Sequence, residues 1–152
     1  MDLFFLRHGE AESHAASDAE RRLTPRGERD VQGVIESRRA ELSAIELIVT
    51  SPYRRALQTA KIAAQALSFE QELLVTEQLV PGAEPQALFH FIDALDAKSL
   101  LVVTHQPLVG SVLSLLSDDN RWLATGTANL VALQTEAPVP GFADVHWAQI
   151  PD

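Results

Sequence analysis

The sequence contains no cysteine among its 152 residues. This absence excludes disulfide frameworks, thiolate metal sites and cysteine nucleophiles, and it fits a reducing compartment. Long apolar runs are missing as well. The most apolar stretch, LLVVTHQPLVGSVLSLL, is interrupted by His105, Gln106 and Pro107, so it does not predict a membrane span. The apolar run near Met1 is only four residues long and follows an acidic residue, unlike a signal peptide. These features predict a cytoplasmic protein without a membrane partner.

Basic residues are scarce in the second part of the chain. The net charge is −9, which argues against a nucleic-acid partner because nucleic-acid-binding proteins usually carry a basic face. Ten basic and ten acidic residues precede Ile62, whereas Lys98 and Arg121 are the only basic residues from Ile62 onward. We expect most of the arginines to lie on solvated helix faces. A minority of them is expected to form a local anion site within an otherwise acidic protein.

Several motifs of phosphate and metal chemistry are absent. The sequence has no glycine-rich phosphate loop and no paired aspartate motif, which argues against nucleotide hydrolases and aspartate-based phosphatases. His14, His90 and His146 lack metal-ligand spacing with one another or with clustered carboxylates. We therefore expect neither a metal ion nor another cofactor.

The sequence does contain apolar runs of strand length that alternate with helical patterns, which is typical of an α/β layer fold. The first, second and fourth predicted strands are nearly continuous apolar runs, as in strands buried on both faces of a parallel sheet. The last two flank a Pro/Gly-rich turn and are predicted to pair antiparallel at an edge. With no repeats and no long linker, residues 1–152 are predicted to form one domain. The predicted strands are 2–6, 45–50, 73–76, 99–104, 129–134 and 143–149.

Helix starts are marked by proline. Thr24-Pro25 and Ser51-Pro52 each offer an N-cap hydroxyl followed by proline at the first helical position. Glu84-Pro85 and Gln106-Pro107 repeat the proline with weaker caps. The predicted helices are 25–39, 52–67, 85–95 and 107–116.

Three of the predicted strands end in residues suited to binding phosphate. Arg7 and His8 follow the first strand, Arg54 and Arg55 follow the second, and His105 follows the fourth. Ligands of open α/β sheets bind at the carboxyl ends of the strands, where helix N-termini also favour anions. Each residue alone is a weak indication, because a histidine at a strand end is more often structural. Their conjunction predicts one phosphate-binding pocket.

The residue types match phosphoryl transfer. Guanidinium groups bind phosphate oxygens in bidentate fashion, and a neutral imidazole can attack phosphorus to form a phosphohistidine. A second histidine, held protonated by the phosphate, would stabilise oxygens in the transition state. Gly9 is expected to allow close approach of the backbone and to orient His8 through its carbonyl group. Arg54 and Arg55 lie about 100° apart on a helix, so both cannot easily face one pocket.

The segments FFLRHGEAE, VTSPYRRALQTA and VVTHQPLVG resemble the three signature segments of the histidine phosphatase superfamily, also called the phosphoglycerate mutase-like fold. The segments span residues 3–110 and match in order and spacing. The short length, the segment SDAERRLTPRGERD and the HQPLVG box are similar to one branch, the small phosphohistidine phosphatases of SixA type. This resemblance implies a single-domain, three-layer α/β fold with a mostly parallel central sheet and no cap insertions.

The resemblance also implies residue roles and a partner. His8 matches the phosphorylated nucleophile, Arg7 and Arg55 match phosphate-binding arginines, and His105 matches the second histidine. Arg21 matches a position near the phosphate. The implied partner is a phosphohistidine-bearing phosphotransfer protein, either in a signalling relay or as a carrier of the phosphotransferase system. Inorganic phosphate is the implied product.

Two alternatives stay open at this point. Larger members of the superfamily supply a carboxylate that protonates a leaving alcohol, and Glu77 and Glu84 lie in the corresponding region of this sequence. A small-molecule phosphomonoesterase would depend on one of them. The small branch is thought to lack that acid, because the imidazole of phosphohistidine can take a proton from water. The other alternative is a non-catalytic module that binds phosphate.

Overall fold

Six strands form one mixed sheet in a computed structural model that describes residues 1–152. All six predicted strands are present, with bounds within two residues of the predicted ones. The observed strands are β1 (Asp2–Arg7), β2 (Leu47–Thr50), β3 (Leu74–Val75), β4 (Ser99–Thr104), β5 (Leu130–Gln134) and β6 (Asp144–Gln149).

The strand order is β3-β2-β4-β1-β5-β6. The first four strands in that order pair parallel, whereas β5 and β6 run antiparallel at the other edge. This arrangement confirms the predicted antiparallel edge pair. All six residues of β4 are buried, as are the four apolar residues Leu3 to Leu6 of β1. The nearly continuous apolar runs in the sequence therefore did indicate the centre of the sheet.

Helices cover both faces of the sheet. They are α1 (Pro25–Ser37), α2 (Arg39–Leu42), α3 (Arg54–Ala66), α4 (Pro85–Leu95) and α5 (Leu108–Ser117). Leu3 and Phe5 belong to the apolar core that contains residues of α4 and α5, whereas Phe4 and Leu6 belong to the core formed with α1 and α3. Alternate side chains of one strand thus enter two cores, which gives the predicted three-layer α/β fold. None of the helices combines the length and apolar character needed to cross a membrane.

Two helix boundaries differ from the prediction by two residues, and the short helix α2 was not predicted. Helix α1 begins as expected, with the Thr24 hydroxyl accepting a hydrogen bond from the Gly27 N–H at 3.0 Å. It ends at Ser37 because Arg38 leaves helical geometry, with φ −119° and ψ 20°. Helix α3 starts at Arg54 rather than at residue 52, and Ser51 is not its N-cap. The hydroxyl of Ser51 instead lies 2.7 Å from the His105 ring, a partner distant in sequence.

The chain after His8 lies directly against the first turn of α1. A Cβ on Gly9 would lie 2.7 Å from the Gly27 carbonyl oxygen, and a Cβ on Gly27 would lie 2.1 Å from the Glu10 carbonyl oxygen. Neither position therefore has room for a side chain. The Thr24 N–H donates a hydrogen bond to the same Glu10 oxygen at 3.0 Å. The segment that follows the candidate nucleophile is thus fixed by contact between two main chains.

Replacing Gly27 by alanine should destabilise the fold by about 1–3 kcal/mol, because the added methyl group forces the backbone near Glu10 to move. Gly33 on the same helix is a matched control, since a Cβ added there would meet nothing within 4 Å. Gly33→Ala should stabilise the protein by about 0.5–1 kcal/mol through helix propensity. Urea unfolding of both variants measures the difference. Equal stability of the two variants would contradict the close contact at Gly27.

Candidate active site at the carboxyl ends of three strands

The carboxyl ends of β1, β4 and β2 lie side by side. The His8 N–H, just beyond β1, donates to the Thr104 carbonyl oxygen at the end of β4 at 3.0 Å. The Ser51 N–H, just beyond β2, donates to the Val103 carbonyl oxygen at 3.2 Å. These bonds continue the parallel pairing past the strand ends. The three polar strand ends identified in the sequence therefore meet at one edge of the sheet, as predicted.

His8 is buried, with 6% of its surface exposed, and both of its ring nitrogens have partners. Nδ1 lies 2.7 Å from the Gly9 carbonyl oxygen, and Nε2 lies 3.3 Å from Nε of Arg55. A carbonyl oxygen only accepts and a guanidinium N–H only donates, so the neutral ring carries its proton on Nδ1 and a lone pair on Nε2. The expectation that the Gly9 carbonyl orients His8 is confirmed.

The environment keeps His8 uncharged. Burial lowers the pKa of His8 from 6.5 to about 4, because the imidazolium form would lose its hydration. This net value includes the hydrogen bond to Gly9, which raises the pKa, and the positive charges of Arg55 and Arg7, which lower it. His8 is therefore neutral at physiological pH, and its Nε2 carries the lone pair that nucleophilic attack requires.

Arg55 is buried on the inner side of α3, and all three nitrogens of its guanidinium group have hydrogen-bond partners. Its Nε faces His8, its Nη1 donates to the Asp18 carbonyl oxygen at 2.7 Å, and its Nη2 lies 3.2 Å from Asp18 Oδ2. Arg54, the next residue around the helix, is exposed. The expectation that only one of these two arginines faces the pocket is confirmed.

Arg7 and Arg21 approach the site from two sides. Arg7 donates from Nη1 to the Thr125 carbonyl oxygen at 2.9 Å, and its Nε is buried without a partner. Burial and the neighbouring Arg55 lower the pKa of Arg7. Arg21 donates from Nη1 to Asp18 Oδ1 at 2.9 Å and from Nε to the Glu12 carbonyl oxygen at 2.6 Å. Arg21 thus joins the site through Asp18 and makes no hydrogen bond to His8.

His105 is fully buried beside His8, with 5.0 Å between the two ring centroids. Its Nε2 lies 2.7 Å from the Ser51 hydroxyl, and the Tyr53 ring packs against it edge-on. Burial, followed by the neighbouring His8 and Arg55, lowers the pKa of His105 from 6.5 to about 2. Both histidines of the site are therefore neutral in the absence of a ligand.

Asp18 was not identified from the sequence. It begins a short 3₁₀ turn, Asp18–Glu20, and its carboxylate pairs with Arg21 and Arg55. Hydrogen bonds from Arg21 and then Arg55 lower the pKa of this carboxyl group, so it is ionised. Nothing in the local spacing indicated the contact with Arg55, because it depends on how the segment between β1 and α1 folds back onto α3.

Thr59 was also missed, although the sequence did carry an indication. Its hydroxyl donates to the Arg55 carbonyl oxygen at 2.8 Å and accepts from the Gly9 N–H at 3.2 Å. Residues four apart share one helix face, so a buried Arg55 places Thr59 on the same inner side of α3. Thr59 therefore links α3 to the segment that holds His8.

Two carboxylates considered as general acids lie apart from this network. Glu77 and Glu84 are both exposed, and neither belongs to the hydrogen bonds described above. The chain also contains no group of three or more histidine, aspartate or glutamate side chains positioned to hold a metal ion. The charged groups gathered at the strand ends are Arg7, Arg21, Arg55 and Asp18, around two neutral imidazoles.

Known sequences and structures match this chain over most of its length. A family model described as the histidine phosphatase superfamily (branch 1) matches residues 3–80. The phosphohistidine phosphatase SixA homolog of Haemophilus influenzae is 32% identical over 124 residues, which cover 75% of this chain and 76% of the relative. The phosphohistidine phosphatase SixA of Escherichia coli is 31% identical over 117 residues, covering 75% of this chain and 73% of the relative.

Comparison of the fold with solved structures indicates the same family. The structure of the protein histidine phosphatase SixA complexed with tungstate superimposes with a TM-score of 0.90 at 26% identity, covering 99% of this chain and 97% of that chain. The agreement extends over the whole sheet and both helical layers, beyond the segment matched by the family model. Together with the buried arginine–histidine pair at the strand ends, these similarities show that the chain belongs to the histidine phosphatase superfamily and is of SixA type.

Proposed function

We propose that this protein is a phosphohistidine phosphatase that acts on a phosphotransfer protein through a phosphohistidine formed on its own His8. The observation that carries this proposal is the neutral, buried His8, whose Nε2 lone pair faces the guanidinium of Arg55. The names of the SixA relatives from Haemophilus influenzae and Escherichia coli support the class of substrate. The chain from residue 1 to residue 152 acts as one catalytic domain in this proposal.

The reaction has two in-line steps. Nε2 of His8 attacks phosphorus while the bond between phosphorus and the substrate imidazole breaks, and the leaving imidazole takes a proton from water. Arg7 and Arg55 neutralise the phosphoryl oxygens during the transfer, with Arg21 supporting them from the rim. Water then attacks phospho-His8, which releases inorganic phosphate and restores the neutral imidazole. Neither step calls for a metal ion or another cofactor.

The carboxylates of the chain favour a phosphohistidine over a phosphate ester as the substrate. Asp18, the carboxylate at the site, is held ionised by Arg21 and Arg55 and has no proton to donate. Glu77 and Glu84 are exposed and lie outside the hydrogen-bond network of the site. An alkoxide leaving group needs a general acid, whereas an imidazole can be protonated by solvent. The imidazole leaving group therefore fits this pocket better.

Incubation with a carrier protein labelled with radioactive phosphohistidine should transfer acid-labile, alkali-stable label to His8. His8→Ala should abolish both the transfer and the release of inorganic phosphate, because the nucleophile is gone. His90→Ala is the control, since His90 is exposed on α4 and should leave both unchanged. If the wild-type protein removes label no faster than His8→Ala, the proposed mechanism is wrong. Binding of phosphate without covalent transfer would indicate a non-catalytic module.

The nucleophile should stay neutral well below the usual range of histidine. With a pKa of about 4, His8 should show the nitrogen-15 NMR shifts of a neutral ring from pH 8 down to about pH 5. The unfolded chain binds this proton near pH 6.5, so it takes up more protons than the folded protein between pH 6.5 and pH 4. The free energy of unfolding should therefore fall as the pH is lowered through that interval. A His8 midpoint between pH 6 and 7 would contradict this assignment.

The double variant Glu77→Gln and Glu84→Gln should dephosphorylate a phosphohistidine protein at the wild-type rate, within about twofold. The reason is that neither carboxylate takes part in protonating an imidazole leaving group. Initial rates on the phosphohistidine protein and on a sugar phosphate provide the measurement. Appreciable turnover of the sugar phosphate that is lost in the double variant would support the phosphomonoesterase instead.

A further inference from the structure

Ser51 lies at the carboxyl end of β2 and is completely buried. Two groups lie within hydrogen-bond distance of its hydroxyl oxygen. The Tyr53 N–H donates to it at 3.2 Å, and Nε2 of His105 lies 2.7 Å away. The hydroxyl forms no other hydrogen bond in the structure, so these two contacts determine where its proton points.

The donors and acceptors of this cluster favour one tautomer of His105 over the other. A serine hydroxyl has one hydrogen to donate, and the Tyr53 N–H occupies one of its lone pairs. If Nε2 of His105 carried a proton and donated it to Ser51, two buried groups would lack partners, the hydroxyl hydrogen of Ser51 and the Nδ1 lone pair of His105. Each unpaired buried group costs about 1–3 kcal/mol, and a hydroxyl that donates to Nε2 leaves only the Nδ1–H unpaired. The hydroxyl of Ser51 therefore donates to Nε2, and the proton of the neutral His105 ring lies on Nδ1.

The other ring nitrogen of His105, Nδ1, then carries an N–H without a partner. Nδ1 of His105 is buried, and no hydrogen-bond partner accompanies it. Its ring lies 5.0 Å from the ring of His8, centroid to centroid. Unsatisfied buried donors are rare in native proteins and call for an explanation. A ligand oxygen that arrives beside His8 would supply the missing acceptor.

We propose that Ser51 is a positioning residue whose hydroxyl fixes His105 in the Nδ1–H tautomer, so that a neutral His105 donates a hydrogen bond to an oxygen of the phosphoryl group. The part that concerns the phosphoryl oxygen rests on the proposed function. The tautomer itself rests only on the contacts of Ser51. The proposal replaces the protonated second histidine expected from the sequence with a neutral donor.

The surroundings of His105 favour the neutral ring. Titratable or charged groups surround His105 from three segments, namely the end of β1, the 3₁₀ turn and the start of α3. These groups are His8, Arg7, Asp18, Tyr53 and Arg55. Two of these are cations and one is an anion, and burial lowers the pKa of His105 more than any of them. A neutral Nδ1–H is not lost when the pH rises through 6.5, whereas an imidazolium proton would be.

The tautomer of the ligand-free protein is directly measurable. Nitrogen-15 NMR of the wild-type protein, assigned with His105→Gln, should show His105 protonated on Nδ1 and bare on Nε2 from pH 6 to pH 8. Addition of inorganic phosphate should perturb the Nδ1–H resonance while the ring stays neutral. Protonation on Nε2 in the free protein, or an imidazolium in the phosphate complex at pH 7, would overturn the proposal.

Variants of Ser51 distinguish the effect of its hydroxyl group from the effect of removing a buried hydroxyl elsewhere. Ser51→Ala should abolish the single tautomer of His105 and weaken phosphate binding about tenfold, because Nε2 loses its donor. Ser51→Thr keeps a hydroxyl and should retain the Nδ1–H tautomer. Ser114→Ala is the control, since it removes another buried hydroxyl, bonded to Asn120 at 2.7 Å, and should change neither property.

The outcomes of these measurements distinguish the two proposals. An unchanged His105 tautomer in Ser51→Ala would refute the role of Ser51 even if the protein dephosphorylates phosphohistidine. If Ser51→Ala does not fold, the wild-type spectrum decides the question by itself. A correct tautomer in a protein that forms no phospho-His8 would instead refute the proposed function and leave the role of Ser51 intact.

Discussion

Burial of two imidazoles among guanidinium groups is the constraint on which the site depends. A histidine near water would be partly charged at neutral pH, and its charge would compete with its use as a nucleophile. Inside this pocket, the loss of hydration and the positive charge of Arg55 both favour the neutral rings of His8 and His105. The protein can therefore surround a phosphoryl group with cations without protonating the group that attacks it. Contacts with Gly9, Asp18 and Ser51 hold those rings and guanidiniums in place.

Asp18 gives the ligand-free pocket a negative partner. Its carboxylate pairs with Arg55 and Arg21, the same side chains that are proposed to meet phosphate. The Asp18 carbonyl oxygen adds a short hydrogen bond to Arg55, so the guanidinium is held by main chain as well as by side chain. The arginines are thus oriented before any substrate arrives, and their mutual repulsion is reduced. Preorganised cations of this kind stabilise a developing charge without a reorganisation step.

The fold could be predicted from the sequence because local patterns and tertiary structure agree in most of the chain. The apolar runs of β1 and β4 are long enough to require burial on both faces. Helical geometry alone shows that Arg54 and Arg55 cannot both face the pocket. The same reasoning failed at Ser51, whose hydroxyl fits the local pattern of an N-cap. That hydroxyl instead makes a hydrogen bond with Nε2 of His105, which lies 54 positions away in the sequence. Asp18 was missed for a similar reason, because its partner Arg55 lies 37 positions away on another element.

The contact between Gly9 and Gly27 has a consequence for how this chain can vary. Gly9 packs against the main chain at Gly27 and the buried side chain of Val31, so the contact uses the inner face of α1. The exposed side chains on the outward face of α1 take part in none of the hydrogen bonds described for the site. Residues such as Glu28, Arg29 and Gln32 are exposed on this helix. They offer attachment points for labels or new binding surfaces on a protein whose reactive centre stays unchanged.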